Sequence, residues 1–463
     1  MTPDEPEDGD EQPSGRTLKE RRRAPLATKA PPSRALVVVP ILKSSRKTPD
    51  DHAPVNRLIE ARGLAEAIEL EIVDALVVPV AAPRPSTLIG SGKVEELRIL
   101  VEDQHIGLVI VDHAITPGQQ RNLEKAWNTK VIDRTGLILE IFGARARTRE
   151  GVLQVELAHL TYQKGRLVRA WTHLERQRGG GGFLGGPGEA QIELDRRMLQ
   201  DRIDAIKREL TDVVKTRDLH RKGRRKVPYP VVAIVGYTNA GKSTLFNKLT
   251  GAGVLAADQV FATLDPTMRE VKLKSGRKII LSDTVGFISD LPTMLVAAFR
   301  ATLEEVIEAD LILHVRDIVH EESDAQARDV AKVLEELGID ALSAATPILE
   351  VWNKADLLSE AKATELQLEA RRCDRPPALV SALTGEGLDA LLNVLDARLG
   401  IGDAILDVIV PGHEGALIAW LYENAEVLSR DTDAEGALHL RVRVPSEKKD
   451  RLIARLRKDG IEI

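Results

Sequence analysis

Residues 231–244 read VVAIVGYTNAGKST, a short apolar run that leads into the pattern GxxxxGK[ST], and the helix-forming LFNKLT follows. In such a loop, glycines allow backbone N–H groups and the start of the next helix to surround a chain of phosphates. The stretch therefore predicts an α/β P-loop domain, in which Lys242 neutralises the β and γ phosphates and Ser243 binds Mg²⁺. The predicted loop residues are Gly236, Tyr237, Thr238, Asn239, Ala240, Gly241, Lys242, Ser243 and Thr244.

Two segments after the loop predict the rest of a phosphate and metal site. The strand-like KIILSDTVGF contains Asp283, an acid able to hold Mg²⁺ through water, and Gly286, whose N–H can reach a γ-phosphate. Before it, DQVFATLDPTMREV at 258–271 reads as a loop in which Thr263 binds Mg²⁺ and γ-phosphate only when the triphosphate is present. We predict that Lys242, Thr263 and Gly286 act in catalysis.

A fourth segment predicts which base is bound. PILEVWNKAD at 347–356 ends in Asn353, Lys354 and Asp356, and the Asp356 carboxylate can accept the N1–H and 2-amino hydrogens of guanine. Adenine offers neither hydrogen there, so such a site rejects it. Downstream, the turn formed by Ser381, Ala382 and Leu383 can offer backbone N–H groups to guanine O6. These segments, each at the end of a predicted strand, indicate GTP and GDP as the ligands.

The region before the P-loop predicts a second α/β unit. From 35 to 142, the β-branched runs ALVVVPIL, EIVDALVVPV, GLVIVDHAI and TKVIDR alternate with helical stretches, which is typical of βα repeats on a parallel sheet. LIGSGKVEEL at 88–97 has Thr87 and Val94 where a P-loop needs glycine and a hydroxyl. We therefore interpret Gly90 and Gly92 as a loop before a helix.

Residues 143–227 are basic and have helical periodicity. They hold 20 Lys and Arg against 11 Asp and Glu, although the whole chain has a net charge of −6. Two helices are predicted to pair through Leu153, Leu157 and Leu160 on one and Leu199, Ile203 and Ile206 on the other, around a glycine-rich turn at 179–188. Long exposed helices often carry many cations, but segregation on this scale favours a polyanionic partner.

The remaining segments complete the predicted organisation. Residues 1–34 are rich in charge and proline and predict a disordered tail, 228–400 the nucleotide domain, and 401–463 a small α+β domain read as strand, helix, strand, helix. No apolar run reaches the roughly 18 residues of a membrane span, and the N-terminus has no export signal. We expect a cytoplasmic protein, and a monomer.

Seven segments together resemble the HflX family of ribosome-associated GTPases, across residues 35–463. They are GSGKVEEL, VIDRTGLILEIFGARARTREGVLQVELAHLTY, GGPGEAQIELDRR, GYTNAGKSTLFNKLT, FATLDPT, SDTVGFISDLP and NKAD. The resemblance implies that the N-terminal domain and the helical linker contact ribosomal RNA of the large subunit. It also implies a GTP-driven role in separating stalled or idle ribosomes into subunits.

The resemblance implies roles for further residues. The glycine-rich turn would enter a narrow RNA cleft while arginines at its rim pair with phosphates. Asn239 resembles an asparagine with which some relatives hold K⁺ against the phosphates, and Phe287 stands where many GTPases carry a glutamine that orients water. The RNA-contact candidates are Arg176, Arg178, Gly179, Gly180, Gly181, Gly182, Gly185, Gly186, Gly188, Arg196 and Arg197.

Two other functions remain open at this point. The protein could be a regulator that binds RNA other than the ribosome's and uses GTP only as a conformational switch. It could also be an RNA-modification GTPase, but that activity needs a second catalytic site. The sequence shows no cofactor motif, nucleophilic cysteine constellation or metal cluster for one.

Overall fold

The structure is a computed structural model of the chain. It describes residues 33–43, 52–177, 187–224, 229–252, 260–261, 263–264, 266–292, 295–296, 300–341, 343, 346–400, 403–433, 436–444 and 446–461. Almost all of the predicted tail and most of the predicted glycine-rich turn lie outside these ranges. The predicted fold class is confirmed, because the described residues form a parallel N-terminal sheet, a helical hairpin, a P-loop sheet and a small C-terminal α+β unit.

The N-terminal sheet is parallel, with the order β2-β1-β3-β4. The central strand β1 is buried on both faces, as its unbroken apolar run requires. Its strands are β1 (Arg34–Leu42), β2 (Glu71–Val80), β3 (Leu108–Val111) and β4 (Lys130–Asp133), and its helices are α1 (Pro54–Glu66), α2 (Ser91–Asp103), α3 (Pro117–Trp127) and α4 (Arg134–Arg145).

Helix α4 was not among the predicted helices of this unit, and the reading of Gly92 was wrong. Asp133 ends β4 and caps α4, because its carboxylate accepts the N–H of Gly136 at 2.8 Å. Strand and helix therefore follow each other with no loop, which hides the boundary in the sequence. Gly90 does precede α2 as its N-cap, but Gly92 lies inside the first turn of that helix.

The hairpin consists of two long helices, α5 (Arg149–Gln177) and α6 (Pro187–Arg224). Of the predicted contact residues, Leu153, Ile203 and Ile206 are buried, while the other three are half-buried. An ion pair of 2.7 Å between Arg202 and Glu156 also joins the helices. The base of α5 packs on α4, so the hairpin begins directly at the N-terminal sheet.

The P-loop sheet has six strands in the order β10-β9-β8-β5-β7-β6, and only β6 runs antiparallel to its neighbour. Its strands are β5 (Val231–Gly236), β6 (Thr267–Lys272), β7 (Lys278–Asp283), β8 (Leu311–Asp317), β9 (Ile348–Asn353) and β10 (Ala378–Leu379). Its helices are α7 (Lys242–Thr250), α8 (Arg300–Ile307), α9 (Ser323–Glu336), a 3-10 turn (Ala355–Leu357), α10 (Glu360–Arg372) and α11 (Leu388–Leu399). The carboxyl ends of β5, β7 and β9 lie at one edge, which brings the predicted motifs together.

The C-terminal unit is an antiparallel sheet covered on one face by two helices. Its strands are β11 (Ala404–Val410), β12 (Glu426–Thr432) and β13 (Leu438–Val444), in the order β11-β13-β12, and its helices are α12 (Gly415–Asn424) and α13 (Ser446–Lys458). The expected strand-helix-strand-helix order was wrong, because β12 adds a third strand. β12 is an edge strand with no fully buried residue, so its sequence lacks a clear apolar alternation.

No helix within the described ranges has the length and apolarity needed to cross a lipid bilayer.

Candidate nucleotide-binding site

The P-loop connects β5 to α7, and two of its glycines are required by close packing. Gly236 has φ +152°, and a Cβ there would lie 2.2 Å from the carbonyl oxygen of Val315. Gly241 has φ +91°, and a Cβ there would lie 2.2 Å from the amide nitrogen of Asn353. Asn239 also has a left-handed backbone, with φ +60°, and its side chain is exposed. The loop therefore folds tightly against the ends of β8 and β9.

Lys242 lies buried under this loop. Its ammonium donates to the carbonyl of Tyr237 at 2.7 Å. Burial lowers the pKa of Lys242 to about 8, although the nearby charge of Asp283 opposes the shift. A desolvated ammonium is stabilised by an anion more than an exposed one is. The site is therefore prepared for phosphate oxygens.

The three residues predicted to bind Mg²⁺ lie together. Asp283 Oδ2 accepts the hydroxyls of Ser243 at 2.7 Å and Thr263 at 2.9 Å, and the two hydroxyl oxygens are 3.0 Å apart. Burial raises the pKa of Asp283 against the hydrogen bond from Ser243 and the charge of Lys242. Its other oxygen, Oδ1, is buried and has no hydrogen-bond partner among the described residues. A buried carboxylate with two hydroxyls is a donor set that suits a hard divalent cation.

Gly286 packs directly on the P-loop. A Cβ at this position would lie 2.9 Å from the methyl group of Thr238 and 3.0 Å from the ammonium of Lys242. The next residue, Phe287, accepts the N–H of Thr238 at 2.7 Å and donates its own N–H to Gly236 at 3.1 Å. The phenyl ring is fully buried in the core beneath. The backbone of Phe287 therefore fixes this segment to the P-loop, while its ring is a core residue.

Hydrogen bonds connect the residues predicted to bind the base. Asn353 donates to the carbonyl of Ala240 at 2.8 Å and accepts the N–H of Ala382 at 2.9 Å, so one amide joins the P-loop to the turn at 381–383. The hydroxyl of Ser381 donates to the Asp356 carboxylate at 2.6 Å.

Two further residues predicted to bind the base have side chains that are at least partly exposed. Lys354, with φ +67°, is ion-paired with Asp317 at 2.7 Å. Leu383 is 71% exposed. This exposed leucine, in the turn whose Ser381 contacts Asp356, offers an apolar surface on which a planar base can lie.

Polar residues on the helices of the N-terminal unit reach this site, and sequence reasoning missed them. Tyr237 donates its hydroxyl to Glu60 of α1 and accepts the N–H of Ser289 at 2.7 Å. Ser289 also donates its hydroxyl to Glu60 at 2.7 Å, and its carbonyl accepts from Arg134 at 2.7 Å. Arg134 is ion-paired with Glu60 and with Asp112. The residues of this network are more than 150 positions apart in the sequence where they join the two units, so no motif spacing could predict their contacts.

This buried network is held by charge. Burial alone would raise the pKa of Glu60, but the charge of Arg134 and the hydrogen bonds from Tyr237 and Ser289 lower it below its usual value. The carboxylate is therefore ionised and paired. A buried ion pair of this kind specifies one arrangement of the two sheets, since removing either partner leaves an uncompensated charge.

Two more contacts fasten the sheets together. The ring of Phe142 packs edge-on against Phe261 with centroids 4.6 Å apart, and Arg145 donates to the carbonyl of Val260 at 2.7 Å. Both partners lie just before Thr263. Helix α4 therefore contacts the segment after β7 through its first residue, Arg134, and the Thr263 loop through its last turn.

His52 makes a third contact between the units. Its two ring nitrogens lie 2.7 Å from Glu322 and 2.8 Å from Asp329, both on or beside α9. The hydrogen bond to Asp329 raises the pKa of His52 to about 9, against the effect of burial and with a further contribution from Glu322. The imidazole is therefore charged at neutral pH and bridges two carboxylates.

The RNA-contact candidates are only partly described. Arg196 and Arg197 are exposed on α6, about 14 Å along the helix from its first residue at 1.5 Å per residue. Arg176 lies in the last turn of α5 and Gly188 in the first turn of α6. The remaining candidates, Arg178, Gly179, Gly180, Gly181, Gly182, Gly185 and Gly186, lie outside the described residues.

Four family models match successive parts of the chain. The descriptions and matched residues are GTP-binding GTPase N-terminal (55–143), GTP-binding GTPase Middle Region (145–224), 50S ribosome-binding GTPase (231–354) and HflX C-terminal domain (368–460). Together these models cover most of the chain.

Curated relatives match over a similar length. A protein of Magnetococcus marinus named GTPase HflX is 50% identical over 86% of this chain and 90% of its own length. The GTPase HflX of Escherichia coli is 44% identical over 84% of this chain and 89% of its own. Among solved structures, a GTP-binding protein from the archaeon Sulfolobus solfataricus in complex with GDP aligns with a TM-score of 0.42 and 23% identity, over 79% of this chain and 98% of that one.

Proposed function

This chain belongs to the HflX family of GTPases, and from that premise we propose that it binds the large ribosomal subunit and uses GTP to separate ribosomes into subunits. The chain is a GTPase, which hydrolyses GTP to GDP and phosphate. The observation that carries the ribosomal part is the match of its P-loop region to the family described as 50S ribosome-binding GTPase.

The geometry supports a division of roles within the nucleotide site. Lys242 would bind the β and γ phosphates, Gly286 would offer its N–H to the γ-phosphate, and Asp356 with the turn at 381–383 would hold guanine. Ser243, Thr263 and Asp283 would hold Mg²⁺, which neutralises charge that develops on the phosphate oxygens. The Ser243–Asp283 distance of 2.7 Å supports this assignment.

Thr263 would report the state of the nucleotide. In this structure its hydroxyl donates to Asp283 at 2.9 Å. Binding of the metal would take over that carboxylate, and Thr263 would then turn to the metal and the γ-phosphate. Phe261 and Val260 contact helix α4, so a shift of Thr263 would change the contacts between this loop and the N-terminal unit.

A second set of contacts links the nucleotide site to the helical hairpin. Tyr162 and Arg166 of α5 bind the carboxylate of Asp133 at 2.5 and 2.8 Å. The adjacent Arg134 binds the carbonyl of Ser289 at 2.7 Å. Two consecutive residues therefore hold the base of the hairpin on one side and the segment after Gly286 on the other. We propose that this connection lets the nucleotide set the position of the basic hairpin on RNA.

Sedimentation tests the proposal. The full chain would be mixed with ribosomal subunits and run through sucrose gradients with a non-hydrolysable GTP analogue or with GDP. We expect the protein to travel with large subunits, and more of it with the analogue. An Asp356→Asn variant, which should not hold guanine, provides the matched control. Binding of naked RNA without any association with the large subunit would support the regulator that uses GTP only as a switch.

A further inference from the structure

The last helix, α13, carries exposed cations that are not neutralised. One face, with Leu452 and Leu456, is buried against the C-terminal sheet. The described part of the remaining surface carries five exposed cations and one exposed acid, Asp450. Lys449, Arg451, Arg457 and Lys458 are exposed and make no ion pair with any residue in the described ranges, whereas Arg455 is paired with Asp459 at 2.7 Å.

Helix α2 is an exposed helix of this chain whose cations are all paired. It has only two, and both are paired within the helix. Lys93 lies 2.5 Å from Glu96, and Arg98 lies 2.7 Å from both Glu95 and Glu102. Such pairs at spacings of three and four stabilise a solvated helix. Four of the five exposed cations described on α13 lack such a pair, although the chain as a whole is acidic.

The needs of the helix itself do not explain the pattern. Arg457 and Lys458 lie in the last turn, where the helix dipole favours cations. Lys449 lies near the other end, where the same dipole disfavours a positive charge. Arg451 and Arg455 are four residues apart, a spacing at which like charges repel. The helix's own needs therefore do not explain Lys449 and Arg451, and a bound polyanion would stabilise these charges.

We propose that the exposed surface of α13 binds the phosphate backbone of RNA. The four unpaired cations lie along a helix of 13 residues, about 20 Å long, and they are well suited to contacts that position an RNA without reading its sequence. This surface belongs to the C-terminal sheet, so it is separate from the helical hairpin. The inference rests on the proposed function only in taking the RNA to be ribosomal.

Four substitutions in the full chain test it: Lys449→Gln, Arg451→Gln, Arg457→Gln and Lys458→Gln together. The control removes four cations that are already paired, by Lys93→Gln, Arg98→Gln, Lys278→Gln and Lys362→Gln. The probe is a fluorescent 30-nucleotide RNA hairpin, and its anisotropy is measured with GDP present at salt concentrations from 50 to 200 mM.

We expect the α13 variant to bind the hairpin about tenfold more weakly at low salt, and the slope of log affinity against log salt to fall by about 2–4, roughly one for each lost contact. The control should bind like the parent. Equal affinity and equal slope in the α13 variant and the control would overturn the inference.

A competition experiment distinguishes RNA from an acidic protein as the ligand of this surface. Poly-glutamate, added at the same charge concentration, should compete poorly, because its charges are less densely spaced than those of an RNA duplex and it releases fewer condensed counterions. If poly-glutamate bound the parent as tightly as the hairpin did, and the α13 variant lost both, the surface would be one for acidic proteins and the RNA assignment would be wrong. Loss of hairpin binding in a protein that never sediments with large subunits would instead contradict the proposed function and leave this inference standing.

Discussion

The hydroxyl of Tyr237, in the P-loop, accepts the backbone N–H of Ser289 at 2.7 Å while it donates to the carboxylate of Glu60. Ser289 follows Gly286 by three residues, and Glu60 belongs to helix α1 of the N-terminal unit. One hydroxyl therefore connects the P-loop, which we propose binds the phosphates, the segment that would contact the γ-phosphate, and a separate folded unit. Tyr237 is almost fully buried, so water cannot replace the contact.

The Tyr237→Phe variant tests the contribution of these hydrogen bonds. The ring would stay in place, but the Ser289 N–H and the Glu60 carboxylate would both lose a partner. We expect unfolding in urea to show a loss of about 1–3 kcal/mol, the usual cost of leaving buried polar groups unpaired. Tyr422→Phe, at a tyrosine that is 45% exposed, is the control and should change little. Unchanged stability of Tyr237→Phe would show that the hydroxyl contributes nothing to the interface.

The choice of guanine depends on Asp356. An Asp356→Asn side chain would present an amide N–H where guanine also presents hydrogens, whereas xanthine has a carbonyl there. GTP affinity should fall at least tenfold, about 1.4 kcal/mol, and affinity for xanthosine triphosphate should rise. Calorimetric titration of both nucleotides measures the change, with Asp374→Asn as an exposed control. If the variant kept its affinity for GTP, the assignment of the base would be incorrect.

His52 should make stability depend on pH. Its pKa is raised to about 9 in the folded chain, so the folded state binds the proton more tightly than the unfolded state does. The stabilisation is therefore complete below pH 6.5 and is lost as pH rises through 9. We expect His52→Gln to lower stability by about 1–3 kcal/mol at about pH 6 and by much less at about pH 10. His413→Gln, at an exposed histidine, is the control. An equal loss at both pH values would contradict the charged bridge.

The potassium hypothesis for Asn239 has a clean test. Because Asn239 has φ +60°, an Asn239→Gly variant keeps the backbone and loses only the amide. If the amide helps to hold K⁺, the parent should hydrolyse GTP several-fold faster in K⁺ than in Na⁺, and the variant should show no preference. Asn128→Gly, at another left-handed asparagine far from the P-loop, should behave like the parent. A parent protein with the same rate in both salts would rule the hypothesis out.

The sequence predicted well what depends on short stretches of chain. Asp283 is the last residue of β7, and Lys242 and Asp356 follow β5 and β9 at a short distance along the chain. Parallel strands bring their carboxyl ends to one edge, so spacing and order alone could predict that these residues lie at the same edge. The switch from alternating βα units to helical periodicity likewise predicted the hairpin. The motifs and the helical periodicity depend only on residues that are close together in the sequence, so the sequence alone was enough to predict them.

Contacts between distant segments could not be predicted in this way. Glu60 and Tyr237 are 177 residues apart, and nothing in either stretch indicates the other. The position of Phe287 indicated a missing glutamine, but only the packing showed that the ring is a core residue and that its backbone holds the P-loop. β12 was missed because an edge strand buries too little to impose a pattern on its sequence.

Light scattering of ribosomes, followed after rapid mixing with the full chain, tests the central claim most directly. With GTP, scattering should fall as ribosomes separate into subunits, and with GDP it should stay level. A Lys242→Ala variant, which lacks the ammonium for the phosphates, should produce no fall. If scattering stayed level with GTP at protein concentrations that sediment with large subunits, the protein would bind ribosomes without separating them, and the proposed function in ribosome separation would be wrong.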